Sequence, residues 1–276
     1  MRRRFIADTW SPASGHPTHA ALTGDQAAHL ARVLRAQSGQ IYDIVANGFL
    51  HRAEITSVSE AEIRFTLHEE LEADPAPPIH LLLAVFKFDH FEWAVEKATE
   101  LGVARITPIL ARRTEKHLAH ASAKRVDRWR RIALEAAKQS RRTDIPEISD
   151  PTPLAAALAA ETAPTRILLS ETEQDLTLSS ALARTSTDAR VPHRSQSEGW
   201  GEGVRVPHPS QTNGWDVQTP LALAIGPEGG WAPDEMSLFS THQWTHVTLG
   251  PRILRAETAA IAALAISSAA LHQPTK

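Results

Sequence analysis

Cysteine is absent from the 276-residue chain, tyrosine occurs once, and methionine occurs twice. Without thiols the protein has no disulfide, no thiolate nucleophile and no cysteine-bound zinc, so a metal site would need histidine and carboxylate ligands. We expect no metal. Long apolar runs are also lacking: no run of signal-peptide length follows the basic opening Met1–Phe5, and no stretch approaches the roughly 18 apolar residues of a membrane span. The sequence therefore predicts a cytoplasmic protein without a membrane partner.

A strong excess of one charge sign is lacking too, because the net charge is only −3. The charge is nevertheless uneven: residues 105–142 contain twelve Lys and Arg and three acids, which leaves a local charge of +9. A segment of that charge attracts phosphate backbones, whereas a solvated helix surface usually mixes the signs. The charge distribution favours nucleic acid as a partner.

The first seventy or so residues have the pattern of a small β-rich domain. A helix is expected near residues 25–36, and Asn47-Gly48 is typical of a type I′ hairpin turn. The strands around and after that turn are predicted at 41–46, 49–56 and 61–67, where Ile63, Phe65 and Leu67 face inward. The Pro-rich segment 74–78 suits neither a strand nor a helix. We therefore expect one domain over 1–74 and a second over 79–276.

Beyond this linker, strands alternate with helices, which predicts an α/β domain with a mainly parallel sheet. Predicted strands cover 79–86, 104–110, 165–170, 221–226 and 246–249, and predicted helices cover 90–101, 122–139 and 256–272. The first two helices each have an apolar face that we expect in the core: Phe91, Ala94, Val95, Ala98 and Leu101 in one, and Val126, Trp129, Ile132, Ala133 and Ala136 in the other. Residues 186–219 break the alternation, because they are rich in Ser, Gly, Pro and Gln and contain one motif twice, at 190–200 and 205–215. We expect a flexible surface insert there.

The segment Leu221–Gly230 is a buried strand that runs directly into a glycine-rich turn. In parallel sheets, ligands bind at the carboxyl ends of strands, where glycines let backbone amides approach closely. The turn is neither a phosphate-binding P-loop nor a Gly-x-Gly-x-x-Gly dinucleotide motif. Glu228 is placed to accept hydrogen bonds or to cap the helix that begins near Pro233. Taken alone, the turn could also serve only the fold.

A second strand ends in the same way at His246–Gly250 and leads into an Ala-rich helix. We expect the two glycine-terminated strands to border one pocket. Arg252 and Arg255 lie beside the helix start, where forked guanidinium groups bind carboxylate or phosphate. Glu257 complements the helix dipole. A capped helix flanked by arginines is also a common purely structural feature.

These two segments, Ile225-Gly-Pro-Glu-Gly-Gly230 and Leu249-Gly-Pro-Arg-Ile-Leu-Arg-Ala-Glu-Thr-Ala259, closely resemble the C-terminal signature of the ribosomal RNA small subunit methyltransferase E family. The resemblance extends over nearly the whole chain. Further matching motifs are Met1–Phe5, His29–Arg35, Lys97–Val103 with Ile106–Pro108, and Glu135–Ser140. In this order the motifs are highly specific.

The resemblance implies a PUA-like N-terminal β-barrel joined to a SPOUT domain, whose parallel sheet ends in a C-terminal trefoil knot. It also implies that S-adenosyl-L-methionine (SAM) binds in the knot across a homodimer interface, and that N3 of a uridine in 16S rRNA is methylated. By position, the residues expected to contact SAM are Ile225, Gly226, Pro227, Glu228, Gly229, Gly230, Leu249, Gly250, Arg252, Ile253, Leu254, Thr258 and Ala259.

The chemistry that the resemblance implies needs a nucleophilic N3, which is protonated at neutral pH. Either a base must remove that proton or cations must stabilise the anion. We expect Arg255 with Arg112 or Arg113 as the cations, and Glu257 as an orienting group or base. RNA contacts are expected from Arg2, Arg3, Arg4, Arg32, Arg35, Lys87, Arg130, Arg131, Gln139 and Arg142.

The chain departs from the family pattern at two places near the expected RNA side. Many relatives have Lys-Gly-Asp-Arg where this chain has Lys87-Phe-Asp-His90, and Gln-Ser-Gly-Arg where it has Gln139-Ser-Arg-Arg142. These changes affect the individual substrate contacts more than the expected activity. Two alternatives stay open: a related knotted methyltransferase that acts on a ribose 2′-hydroxyl or on transfer RNA, and a non-catalytic RNA-binding assembly factor. A dehydrogenase is disfavoured because the dinucleotide motif is missing.

Overall fold

The computed structural model describes residues 4–12, 16–72, 78–188 and 221–271, with only the backbone described for 185–188. These residues form two compact units, one of 4–72 with 138–144, the other of 78–137, 145–188 and 221–271. Several sequence predictions lie outside the described residues: Arg2, Arg3, residues 74–77 of the linker and residues 189–219 of the insert.

A six-stranded sheet forms most of the N-terminal unit. Its strands are β1 (Arg4–Ile6), β2 (Thr9–Ser11), β3 (His19–Thr23), β4 (Ile41–Ala46), β5 (Phe49–Val58) and β6 (Glu62–Glu70), in the order β1-β4-β5-β6-β3-β2. Asn47 and Gly48 have φ values of 51° and 77°, as the predicted type I′ turn requires, and they join β4 to β5. The predicted inward face of β6 is confirmed, because Ile63, Phe65 and Leu67 are buried.

The helix predicted near residues 25–36 is shorter and less regular than expected. Helix α1 (Gly24–Ala28) continues into one π-helical turn, His29–Val33. Arg35 then takes φ +50°, and a left-handed residue ends the helical path. Leu30 is fully buried beneath this segment, so its packing is that of a core element.

The second unit contains a seven-stranded sheet in which every described pair of strands is parallel. Its strands are β7 (Ile79–Ala84), β8 (Arg105–Leu110), β9 (Glu147–Ile148), β10 (Thr152–Pro153), β11 (Thr165–Leu169), β12 (Leu221–Ile225) and β13 (Thr245–Val247). The order is β10-β8-β7-β12-β11-β13, with β9 also paired to β8. The predicted α/β class with a mainly parallel sheet is confirmed.

Helices cover both faces of this sheet, so alternate residues of its central strands are buried on opposite sides. Leu81 and Leu83 of β7 belong to one core cluster, and Leu82 and Ala84 belong to another. The first cluster is covered by α2 (Phe88–Glu100), α4 (Val126–Gln139), α6 (Leu178–Asp188) and α8 (Ala256–Leu271), and the second by α5 (Leu154–Ala160) and α7 (Pro233–Thr241). The apolar faces predicted for α2 and α4 are confirmed as core.

The predicted helix 122–139 corresponds to α4, which begins at Val126. A 3₁₀ turn, Ala123–Arg125, joins it to a preceding helix, α3 (Lys116–Ser122), which was not predicted. α3 buries little besides Leu118, so it has no apolar periodicity that the sequence would show. The strands β9 and β10 are only two residues long and were not predicted either. α5 was also missed, although Leu154, Ala157 and Leu158 are buried at helical spacing.

Within the parts of the chain that the structure describes, no helix combines the length and the apolar character needed to cross a bilayer.

A buried polar group lies on the α5 side of the sheet. His80 Nδ1 is 2.5 Å from Glu161 Oε2, and His80 Nε2 is 2.8 Å from Thr107 Oγ1. Burial by itself raises the pKa of Glu161, but the hydrogen bond and charge of His80, with the amides of Ala163 and Thr162, outweigh it. The pKa of Glu161 therefore lies below its ordinary value of 4.5.

Replacing Glu161 with Gln should lower the free energy of unfolding at pH 7 by about 3 kcal/mol, because a buried imidazole loses its charged partner. A lowered carboxyl pKa stabilises the fold above the unfolded pKa, and this stabilisation is lost as the pH falls through the folded value. The difference between wild type and variant in the free energy of unfolding should therefore become smaller below about pH 4.5. Urea titrations at pH 7, 5 and 4 measure it, with the surface change Glu100→Gln as control. A gap that widens on acidification would contradict this assignment.

Candidate active site

The carboxyl ends of β7, β8 and β12 form the edge of the sheet at which the conspicuous sequence motifs lie. Five residues of β12 pair in register with β7, and β7 pairs with β8 on its other side. The segment Val85–Lys87 follows β7, Ala111–Thr114 follows β8, and Gly226–Gly230 follows β12. Three loops that are far apart in sequence thus meet at the end of a parallel sheet where ligands bind.

A cavity of about 220 Å³ opens between these three loops. Its lining combines an apolar wall with two cations and two carboxylates. The lining residues are Val85, Phe86, Lys87, Arg113, Thr114, Glu115, Leu118, Glu228 and Gly229. Lys87, Arg113, Glu228 and Gly229 were among the predicted site residues.

The loop after β8 holds the other two loops in place. Arg113 Nη1 donates to the carbonyl oxygen of Gly229 at 2.5 Å, and Thr114 Oγ1 donates to the carbonyl of Val85 at 2.9 Å. The amide of Arg112 donates to Glu235 Oε1 at 2.8 Å, and its guanidinium pairs with Asp234. Of the predicted cations, Arg113 therefore lines the cavity, Arg112 is held against α7, and both have structural partners.

Glu235, rather than Glu228, caps the helix that follows the glycine-rich turn. Glu235 is buried, and its Oε2 accepts the amide of Ala232 at 2.8 Å, directly before α7 begins at Pro233. Glu228 is exposed and lines the cavity. Of the two roles that the sequence left open for Glu228, capping is thus wrong.

The glycine-rich turn rests on an indole ring. A Cβ atom at Gly226 would lie 3.1 Å from Trp231 Nε1, so a larger residue would require the indole ring to shift by a few tenths of an ångström. Trp231 packs edge-on against Phe239, which packs edge-on against Trp244. The ring series connects the start of the turn to the core on the α7 side.

The second predicted loop, 249–255, follows β13, which is separated from β12 by β11. β11 pairs with β12 on one side and β13 on the other, so the two glycine-terminated strands are not neighbours. The cavity is lined by residues of the first loop and by none of 249–255. β11 therefore lies between the two glycine-terminated strands, while both of their loops lie at the carboxyl edge of the sheet. The expectation that the two strands border one pocket stays a prediction.

The second loop itself is exposed and open. Gly250 has φ +121° with nothing within 4 Å of an added Cβ, and Ile253 is 80% exposed. Arg252 and Arg255 are exposed, and within the described ranges neither has an ion-pair partner. Leu249 and Leu254 are partly buried, as is Ala259, whereas Thr258 is exposed.

Glu257 is buried at the start of α8 and contacts α2. Its Oε1 is 2.8 Å from Nδ1 of His90, which also lies 3.7 Å from Asp89 through Nε2. The sequence departure at His90 therefore places an imidazole against the glutamate that we expected to orient or deprotonate the substrate.

Comparison with known proteins identifies the family. The family model of the RNA methyltransferase domain matches residues 73–197 and 202–268. A ribosomal RNA small subunit methyltransferase E from Synechocystis is 31% identical over 254 residues, which cover 91% of this chain and 73% of that protein. The Bacillus subtilis protein of the same name is 29% identical, covering 97% and 96%. The chain belongs to the ribosomal RNA small subunit methyltransferase E family.

Solved structures agree with this family assignment. A Legionella pneumophila protein, described as a methyltransferase in complex with SAM, superposes with a TM-score of 0.69 at 27% identity over 98% of both chains. A ribosomal RNA small subunit methyltransferase E from Neisseria gonorrhoeae, also with SAM bound, gives a TM-score of 0.67 at 23% identity over 96% of both chains. The second likeness supports the fold.

The residues expected to contact RNA differ in their exposure and in their bonding partners. Arg4 donates to the carbonyl of Arg141 at 2.9 Å, Arg32 pairs with Glu60, and Arg35 is exposed. Gln139 is exposed, whereas Arg142 is buried and pairs with Asp144.

On helix α4 the basic segment is partly neutralised. Arg130 contacts Asp127, Asp150 and the carbonyl of Ile148. Arg131 is exposed, and no acid lies within ion-pair distance of it in the described part of the chain. The cations that give the local charge of +9 therefore do not form one uniformly basic surface.

Sequence reasoning missed the apolar wall of the cavity, above all Phe86 and Leu118. Phe86 directly follows a continuous buried strand, and the strand-end rule could have indicated it. Leu118 lies on the unpredicted helix α3, so no sequence signal pointed to it. In the described residues, no group of three or more His, Asp or Glu side chains is arranged to hold a metal ion.

Replacing Gly226 with Ala should lower the free energy of unfolding by about 1–3 kcal/mol, because the methyl group must displace the Trp231 ring. Gly229→Ala is the matched control: its Cβ would meet the Arg113 side chain at an ordinary 3.5 Å. Urea or thermal unfolding of both variants measures the difference. Equal stability of the two variants would contradict the packing role of Gly226.

Proposed function

We propose that the chain transfers a methyl group from SAM to N3 of a uridine in 16S rRNA of the small ribosomal subunit. The observation that carries the proposal is the edge of the parallel sheet where the glycine-rich turn, the basic loop after β8 and Lys87 enclose a cavity. Membership of the methyltransferase E family supports the reaction, and the SAM-bound Legionella relative supports the cofactor.

The two glycine loops fit SAM in chemistry and in space. Gly250 leaves open space over its backbone, as close approach of a ligand requires. Leu249, Ile253 and Leu254 supply apolar surface for an adenine ring, and the backbone groups of 226–230 supply hydrogen-bond partners. The side chain of Ile225 is buried in the core. When bound, SAM supplies an electrophilic methyl group. Thr258 and Ala259, at the start of α8, border the same loop.

The chain's own residues bind and orient the substrates. Arg252 and Arg255 are exposed cations in the cofactor loop and would attract the carboxylate of SAM or a phosphate of RNA. Arg113 fixes the glycine-rich turn through Gly229 and keeps guanidinium donors for the substrate. Glu257 is held by His90 and acts as an orienting group at the start of α8.

A trefoil knot at the C-terminus is part of this proposal. β13 pairs on the outer side of β11, yet α8 packs against α2 and β7 in the middle of the sheet. Between them the chain runs against the β11–α6 connection, where the Thr248 amide donates to the Leu176 carbonyl at 2.9 Å and the Leu178 amide to the Thr248 carbonyl at 3.0 Å. A chain that returns past such a connection is the path that a knot requires, although knots are rare among folds.

The N-terminal unit would bind RNA, and its six-stranded sheet supports a PUA-like barrel over 1–74. Arg4, Arg32 and Arg35 belong to this unit and would contact phosphates. On the methyltransferase domain, 79–276, the exposed Arg131 is the clearest phosphate-binding candidate of the basic helix. Such contacts position RNA without reading its sequence.

Helix α8 supports a homodimer. No charged residue occurs from Thr258 to Leu271, yet Thr258, Ala265, Ala269 and Leu271 are exposed. A helix that is apolar on all sides is normally buried on all sides. The exposed Ile253 lies in the loop that leads to α8. A second copy of the chain would cover this face.

The proposed reaction is tested with purified protein, labelled SAM and undermethylated 30S subunits, followed by nuclease digestion and mass spectrometry of the nucleosides. N3-methyluridine is the expected product. A 2′-O-methylated nucleoside, or methylation of transfer RNA alone, would overturn the assigned target. SAM binding without transfer to any RNA would favour a non-catalytic assembly factor.

Replacing Ala265 with Glu should weaken self-association by at least ~100-fold, because an unpaired charge would be buried between two apolar helices. Ala156→Glu, on the exposed face of α5, is the matched control and should leave association unchanged. Sedimentation equilibrium of both variants and wild type measures the dissociation constant. A monomeric wild type, or an unaffected Ala265→Glu dimer, would place the interface elsewhere or nowhere.

A further inference from the structure

We propose that the cavity between the ends of β7, β8 and β12 receives the target uracil, and that Glu228 accepts the proton of its N3. This inference rests on the proposed uridine methyltransferase activity and assigns the substrate pocket and the proton acceptor within it. The cavity lies on the β7 and β8 side of the glycine-rich turn, and no residue of loop 249–255 lines it.

The cavity fits a pyrimidine ring that has been turned out of its stack. Its volume of about 220 Å³ is enough for one base with space beside it. The cavity has an apolar wall formed by Phe86, Val85 and Leu118. A planar base can pack against such a wall whatever its sequence identity. The cavity is open to solvent on the side of the exposed residues Lys87 and Glu228, so a base can enter from outside.

The polar lining supplies hydrogen-bond partners for the Watson–Crick edge of uracil. The Watson–Crick edge of uracil carries an N–H donor between two carbonyl acceptors. Lys87 and Arg113 are donors without acceptor capacity, and the Glu228 carboxylate only accepts. N3 of cytosine carries no proton, so at that base Glu228 would have no proton to remove from the atom that is methylated.

Of the two carboxylates that line the cavity, Glu228 is the one without a structural role. Glu115 is 3.4 Å from His117 Nδ1, and the helix-capping role belongs to Glu235. For Glu228, no hydrogen bond or ion pair occurs within the described residues, although it stands beside Gly229, which Arg113 fixes. An acid on a fixed loop, facing a cavity and free of internal partners, is placed to take a proton from a ligand.

The proton transfer and the methyl transfer balance without a further reactant. The N3–H bond breaks and its proton passes to a carboxylate oxygen of Glu228, which leaves the negative charge on N3, O2 and O4. Lys87 and Arg113 stabilise that charge. The N3 electron pair then forms the bond to the methyl carbon while the carbon–sulfur bond of SAM breaks. The sulfur keeps that electron pair as a neutral thioether, and Glu228 returns its proton to water.

The decisive variant is Glu228→Gln, measured in single turnovers with excess enzyme, 30S subunits and saturating SAM across pH 6 to 9. The rate should fall at least ~100-fold at pH 7, and it should rise with pH as N3 ionises without help. SAM affinity, measured by calorimetry, should stay within about two-fold of wild type, which also shows that the variant is folded. Glu147→Gln, at the amino end of β9, is the matched control and should retain the wild-type rate.

A second substrate, with a more acidic N3–H, distinguishes proton acceptance by Glu228 from a purely structural role of this residue. In 30S subunits reconstituted with 5-fluorouridine rRNA, N3–H is more acidic, so the rate deficit of Glu228→Gln should shrink at least ~10-fold. A purely structural defect would persist unchanged with this substrate and would overturn the inference. A variant rate within three-fold of wild type, or a lost SAM affinity, would overturn it as well. If wild type itself does not methylate uridine, the proposed function fails, and the failure is visible before any variant is compared.

Discussion

The position of β12 between β7 and β11 is the constraint on which the site depends. Parallel neighbours cannot be joined by a tight turn, so each pairing brings together strands that are distant in sequence. β12 is buried along its whole length, and a shift of one residue would turn its side chains from one helix layer to the other. Its register therefore fixes where the glycine-rich turn emerges, beside Phe86-Lys87 and within reach of Arg113.

The loops that follow β7, β8 and β12 are joined to one another by hydrogen bonds. Arg113 donates to the turn after β12, Thr114 donates to the end of β7, and Glu235 accepts from the backbone of both the basic loop and the turn. The contacts are mostly between side chains and backbone, which fixes loop position and leaves the exposed side chains available for ligands. Three glutamates near helix starts consequently differ in role: Glu235 is buried as a cap, Glu257 is buried against His90, and Glu228 is exposed at the cavity.

The basic segment shows how a local charge count changes once the chain is folded. Residues 105–142 hold twelve cations, but acids from outside the segment meet several of them: Glu92 pairs with Arg125 and Arg128, Asp150 with Arg130, and Asp234 with Arg112. Exposed pairs of this kind contribute little to stability, yet they reduce the field available to RNA. Arg131 keeps its charge unpaired among the described residues, so the phosphate-binding surface is narrower than the sequence indicates.

The sequence by itself determined the α/β class, the faces of α2 and α4, the Asn47-Gly48 hairpin and the two glycine loops. These depend on local chemistry: periodic burial, the positive φ that a turn demands, and glycines where backbone must approach a ligand. It also determined the family, through motifs that span the chain. Tertiary structure alone decided that β11 lies between the two strands that lead into these loops, that Glu235 rather than Glu228 caps α7, that His90 contacts Glu257, and that Phe86 and Leu118 line a cavity. Each of these depends on which strands become neighbours, and strand order is set by the packing of the whole sheet between its two helix layers.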